Sequence, residues 1–218
     1  MPIEPIPTVA NDLKPVDPPE RHSLQDYDTT YQSFLWDDAA AQLTWSRTGK
    51  VNMAYEAIDR HLTLGRRNKL ALVYTDREQT LRFTFEDLAR ASNRFANVLR
   101  RLGVGKGDRV FVFMPRRPEL YVSILGILKV GAIPSPLFEA FMQEAVRDRM
   151  ANAEAVALVT VPALLDRVPQ WELPSLKHII LVGAAAEGLP EGHYSYEAML
   201  EAVSRTRRKS SGSRWMIR

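Results

Sequence analysis

Apolar residues at Leu88, Ala91, Phe95, Val98, Leu99 and Leu102 recur at three- and four-residue intervals, the period of one helix face. Thr84 and Asp87 predict where that helix starts: a hydroxyl accepts from an orphan amide, and a carboxylate sits near the positive helix end. Gly103 supplies the backbone freedom of a helix exit. The pattern then changes. Val110 to Phe113 is an unbroken apolar run between the turn Gly105-Lys106-Gly107-Asp108 and Pro115, which predicts a short strand buried on both faces. Pro118 suits the first turn of a second helix, running to about Val130 and stopping at Gly131. Helix, strand, helix and strand in alternation is the grammar of a parallel α/β sheet.

The same reading extends outwards. Asn52 can cap a helix to Leu64, and Leu70 to Tyr74 and Leu81 to Thr84 read as two strands around Asp76-Arg77-Glu78. Further on come a helix from Met142 to Asn152, a strand from Ala155 to Thr160 and a short helix from Pro162 to Val168. A strand from Lys177 to Val182 and a helix from Tyr196 to Val203 complete the series. Trp171, in a proline-flanked loop, is expected to plug a helix edge. The fold class is therefore α/β, an incomplete doubly wound, mostly parallel sheet with flanking helices. Residues 1–26 carry Pro2, Pro5, Pro7, Pro15, Pro18 and Pro19 and are expected to form a disordered arm. Residues 27–51 hold Tyr31, Phe34, Trp36, Leu43 and Trp45, rings dense enough to predict packing on the main body. Residues 52–203 form that body, and 204–218 are a basic tail.

Composition narrows the classes. The 218 residues are 45% apolar, which fits one ordinary domain with extensions. There is no cysteine, so disulfides and thiolate metal sites are excluded. No basic-then-apolar signal opens the chain, and Leu120 to Leu128 is too short to span a bilayer, so a soluble, cytoplasmic protein is expected. The net charge is +3, but Ser204 to Arg218 contains six basic residues and no acid, leaving −3 for the rest. Any nucleic-acid or membrane role would rest on that tail.

Three groups invite chemistry. Asp59, Arg60 and His61 lack a second histidine at metal-ligand spacing, and packing is the expected role of His61. The glycines at 103, 105 and 107 follow a helix and precede a strand, the reverse of a phosphate loop, so Lys106 and Asp108 are expected to be solvated turn residues. Arg116 and Arg117, past a strand's carboxyl end, are better placed for an anion, although exposed basic residues are common.

A longer string is more specific. Thr84-Phe85-Glu86-Asp87-Leu88, Asn93, Ala96-Asn97, Leu102-Gly103-Val104 and Lys106-Gly107-Asp108-Arg109-Val110 belong to it. So do Met114-Pro115, Pro118-Glu119, Gly126, Lys129-Val130-Gly131-Ala132-Ile133 and Pro136-Leu137-Phe138. Together they resemble the N-terminal part of AMP-forming acyl-CoA synthetases, of the adenylate-forming superfamily, most of all the acetyl-CoA synthetases of bacteria. The resemblance spans roughly Tyr31 to Val203. It implies the first part of that family's large N-terminal domain, and a ligase that makes acyl-AMP from ATP and a carboxylate, then acyl-CoA. ATP, CoA and Mg are the implied cofactors, and acetate or a short-chain acid the implied substrate. Phe138, Glu139 and Ala140 fall where the family places the turn against the CoA adenine, commonly Phe-Gly-Gly-Phe. Here Phe138 and Phe141 match, and Glu139 and Ala140 replace glycines. No catalytic or metal-binding residue of the family falls within the chain.

The family's Gly-, Ser- and Thr-rich phosphate loop has no counterpart; Ser210-Ser211-Gly212-Ser213 lacks the preceding strand and the following lysine. The resemblance thus implies that these 218 residues alone are inactive and bind none of the cofactors productively. A frameshift near Ser204 is an expected cause: the codons of Trp215, Met216 and Ile217, read from the last base of the preceding codon, contain two consecutive aspartates. The alternative is a non-enzymatic α/β module that binds nucleic acid or an acidic partner through its tail.

Overall fold

The computed structural model describes residues 26–210, with side chains through residue 203. The expected proline-rich arm, residues 1–26, lies outside these residues apart from Asp26, as does the tail after Ser210. Two compact units divide at Arg47 and Thr48.

The first unit is built of short helices. α1 spans Tyr27–Ser33, with the Asp26 carboxylate accepting from Thr29 N–H at 3.1 Å; α2 spans Trp36–Ala41, and α3, Trp45–Thr48, lies at the boundary. Tyr31 is 74% exposed and Trp36 80%. Helices this short present no continuous apolar face, so the rings pair locally, Tyr27 on Tyr31 at 5.9 Å and Phe34 edge-on to Trp36 at 5.1 Å.

The second unit opens with α4, Met53–Ala57, capped by Asn52, whose other side-chain atom donates to Leu128 O at 2.8 Å. The expected longer helix breaks at Ile58 and continues as a 3-10 turn, Asp59–Leu62. That break puts Asp59 on Lys129 Nζ at 2.8 Å, a nearly buried ammonium that Asn93 also holds. β1 (Leu70–Thr75) and β2 (Thr80–Thr84) form an antiparallel hairpin, a sheet of their own. α5, Phe85–Arg101, starts on a complete capping box between Thr84 and Asp87 and buries Leu88, Phe95, Val98 and Leu99. Gly103 follows it with φ +77°, where a side chain would be strained.

The main sheet then assembles. β3 is Arg109–Phe113, α6 Pro118–Lys129, β4 Ile133–Leu137 and α7 Gln143–Asn152. β5 (Ala157–Thr160) leads through two 3-10 turns, Pro162–Arg167 and Gln170–Glu172, to β6 (His178–Leu181). β7 (His193–Ser195), a strand the sequence pattern does not reveal, precedes α8 (Tyr196–Ser210). The strands run parallel in the order β4-β3-β5-β6-β7. Counted from β3 this is the doubly wound order 2-1-3-4-5, with its switch point at the carboxyl ends of β3 and β5. β3 and β5 are buried along almost their whole length, as their unbroken apolar runs require. α5 packs on α6 and α8, while α7 packs on the turn Pro162–Arg167. The right-handed crossovers β3–α6–β4 and β4–α7–β5 run in opposite directions across the sheet and so put α6 and α7 on opposite faces. Among the described residues no helix is long and apolar enough to cross a membrane.

Candidate functional site

In a doubly wound sheet, ligands sit outside the carboxyl ends of the strands. Two features occupy that edge. The first is a cleft of about 330 Å³ between the β1–β2 hairpin and the β3–α6 loop, lined by Tyr74, Asp76, Arg116, Arg117 and Glu119 among others. Arg117 is tied to Glu119 at 2.7 Å. The Asp76 carboxylate accepts from the Glu78 and Gln79 amides at 2.8 and 2.9 Å, and from the Tyr74 hydroxyl, which together hold it below the usual carboxylate range. Its acids and bases thus balance, and any anion binding would rest on exposed Arg116.

The second feature is the turn that leaves β4. Leu137 is buried, and the next three residues, Phe138, Glu139 and Ala140, are exposed. Phe141 N–H donates to Phe138 O at 2.9 Å and closes the turn. Among the described residues Glu154 is the only non-glycine with positive φ. Glu139 and Ala140 therefore sit in ordinary backbone conformations, and the turn needs no glycine there. Phe141 lies half-buried, its ring edge-on to Phe138 with centroids 5.9 Å apart. The Arg149 guanidinium, from α7, covers the Phe141 ring at 4.3 Å from its centroid. Arg167 Nη1, from the 3-10 turn after β5, donates to Glu139 O at 2.9 Å. Phe138, 63% exposed, is thus a free ring on a clamped turn.

Charge around the turn is uneven. Arg147 is neutralised by Asp148 at 2.8 Å and Glu172 at 3.5 Å. Arg149 and Arg167 have no carboxylate partner among the described residues. Two guanidinium groups without an acidic partner among the described residues therefore hold the turn, one over the Phe141 ring and one on Glu139 O. Sequence spacing gave no sign of either arginine, because the contacts join α7 and the segment after β5 to the end of β4.

The remaining expectations sort clearly. Trp171 plugs nothing: it is 78% exposed. Lys106 is exposed as expected, while Asp108 is half-buried and its carboxylate accepts from Gly105 N–H at 2.8 Å; that amide is taken up inside the turn and is no part of a phosphate cradle. His61 packs on Phe85 at 4.8 Å, and burial, with Arg60 and Arg66 beside it, holds its pKa below the usual histidine value. No group of three or more potential metal ligands occurs among the described residues.

Fold and edge together define a doubly wound α/β unit with an exposed aromatic turn at the carboxyl end of β4. The chain belongs to the AMP-binding enzyme family, whose model matches residues 60–207. It is 53% identical over 167 residues to the acetyl-coenzyme A synthetase of Bacillus subtilis (strain 168), covering 76% of this chain and 29% of that protein. It is 40% identical over 130 residues to a 3-hydroxypropionyl-coenzyme A synthetase of Metallosphaera sedula, covering 59% of this chain and 20% of that one. The crystal structure of a Brucella canis acyl-CoA synthetase superposes with a TM-score of 0.70 at 32% identity, over 82% of this chain and 32% of that chain. The chain therefore spans less than a third of the length of these relatives.

Proposed function

We propose that this chain is the opening part of an AMP-forming acetate, or short-chain acyl, CoA ligase, and that the turn Phe138–Phe141 receives the adenine end of CoA. In the whole ligase, a carboxylate oxygen attacks the α-phosphate of ATP, pyrophosphate leaves, and acyl-AMP forms. The CoA thiol then attacks the acyl carbon, and AMP leaves. Magnesium would offset the phosphate charge in the first step. Acetate is favoured by the 53% identity to an acetyl-coenzyme A synthetase against 40% to a 3-hydroxypropionyl-coenzyme A synthetase. A cytoplasmic setting follows from the need for ATP and CoA. The aromatic extension is read as packing on the ligase body.

The observation that carries the CoA reading is the free Phe138 ring on a clamped turn beside two arginines without acidic partners. A π-face flanked by cations suits a base that bears phosphate. The role of these residues is to bind and orient; the chain contributes none of the family's reacting groups. The alternative of a module acting through its basic tail, residues 204–218, rests on side chains outside those described. Titration of the protein with adenosine 3′,5′-bisphosphate, the nucleotide end of CoA, tests the proposal. Phe138→Ala should weaken binding about tenfold, the worth of one lost stacking contact. An unchanged affinity would exclude the turn as a CoA site.

A further inference from the structure

Trp171 is the most exposed large apolar side chain of the second unit. Its backbone is nevertheless pinned on both sides. Val168 and Leu173, three residues before and two after, are buried at 3% and 4% exposure. Arg167 holds this segment to the Phe138–Phe141 turn through Glu139 O at 2.9 Å. Glu172 holds it to α7 through Arg147 at 3.5 Å. The segment is thus tied to the turn at one end and to the helix that follows the turn at the other. A tryptophan held outward on a fixed support has already lost most of the freedom that binding would otherwise cost. Arg149 and Arg167, neither with an acidic partner among the described residues, lie in the elements that make these ties, so the surroundings suit an anionic, aromatic ligand.

We propose that Trp171 is a ligand-contacting residue of the CoA site, a second aromatic wall against which the nucleotide end of CoA packs. The inference rests on the CoA reading of the Phe138 turn and adds a residue to it. An indole placed there would also discriminate: a phosphate-bearing purine gains a stacking surface that a phosphate-bearing pantetheine arm lacks.

The test uses the whole chain and adenosine 3′,5′-bisphosphate, followed by tryptophan fluorescence and by calorimetry. Binding should quench emission in the wild type. The quench should vanish in Trp171→Phe, although calorimetry still shows affinity within about twofold of wild type, because phenylalanine keeps a ring. Trp171→Ala should weaken binding about fivefold. Exposure of the side chain makes either variant innocuous to folding, which an unchanged thermal midpoint checks. If Phe138→Ala weakens binding while both Trp171 variants bind as wild type, the Trp171 proposal is overturned and the turn's role stands. If the wild-type protein binds no adenosine 3′,5′-bisphosphate, both are overturned.

Discussion

Gly126 shows how one residue can fix an approach between elements. A Cβ there would lie 2.7 Å from Phe95 Cδ1 and 3.2 Å from the Ala96 amide nitrogen. Alanine would gain about 1 kcal/mol of helix propensity. Phe95 is fully buried and the second neighbour is backbone, so neither yields cheaply, and overpacking costs about 1–3 kcal/mol. Gly126→Ala should therefore lower the denaturation midpoint, and a raised midpoint would show that α5 and α6 can part freely. His178 carries the pH prediction. Burial chiefly, helped by Lys177, holds its pKa below 6.5, and His61 is shifted the same way. Above that value folded and unfolded states are both neutral. As pH falls through it the unfolded state takes protons first, so stability is lost on acidification. Melting curves between about pH 7.5 and pH 5.5 should show this loss, reduced in His178→Gln; a variant as pH-sensitive as wild type would assign the effect elsewhere. The sequence revealed the packing role of His61, because no partner stood at a useful spacing. It could not reveal Arg149 and Arg167, whose partners lie on other elements.

At the level of elements, sheet edges decide association. The five-stranded sheet has β4 and β7 as its edge strands, and β4 carries two prolines. Ile133 N–H donates to Asp108 O at 2.8 Å, so Ile133 faces β3. Alternation along a parallel ladder then turns Pro134 and Pro136 outward. Neither has an N–H, so the outward edge lacks donors at both positions and resists strand addition. Replacing both prolines with threonine should produce concentration-dependent association in sedimentation velocity; a variant monomeric at every concentration would show that the prolines are not the barrier. The prolines are plain in the sequence, but their direction needs the register. The start of α5 was legible to the residue because a capping box is a local device. Short β7 was not, since His193, Tyr194 and Ser195 show no alternation and are made a strand by β6 alone.

For the whole molecule, one hydrophobic core is built in a chain that spans less than a third of the length of its relatives. The second unit buries Phe95, Phe113, Ile127, Met150, Leu158 and Ile180 around its parallel sheet. That core supports a fold without supplying a phosphate loop. Purified protein of these 218 residues, given acetate, ATP and CoA, should form no acetyl-CoA detectable by thioester assay; turnover would mean that the triphosphate is gripped by residues not recognised here. The α/β class, the order of most elements, the α5 cap, the family and the place of the aromatic turn were all determined by the sequence alone, because each depends on local period, local capping or a contiguous string. Tertiary structure decided the rest. Strand order, the outward face of the prolines, the arginine clamp on Glu139 O and the exposure of Trp171 join residues far apart in the chain, and only the folded backbone brings them together.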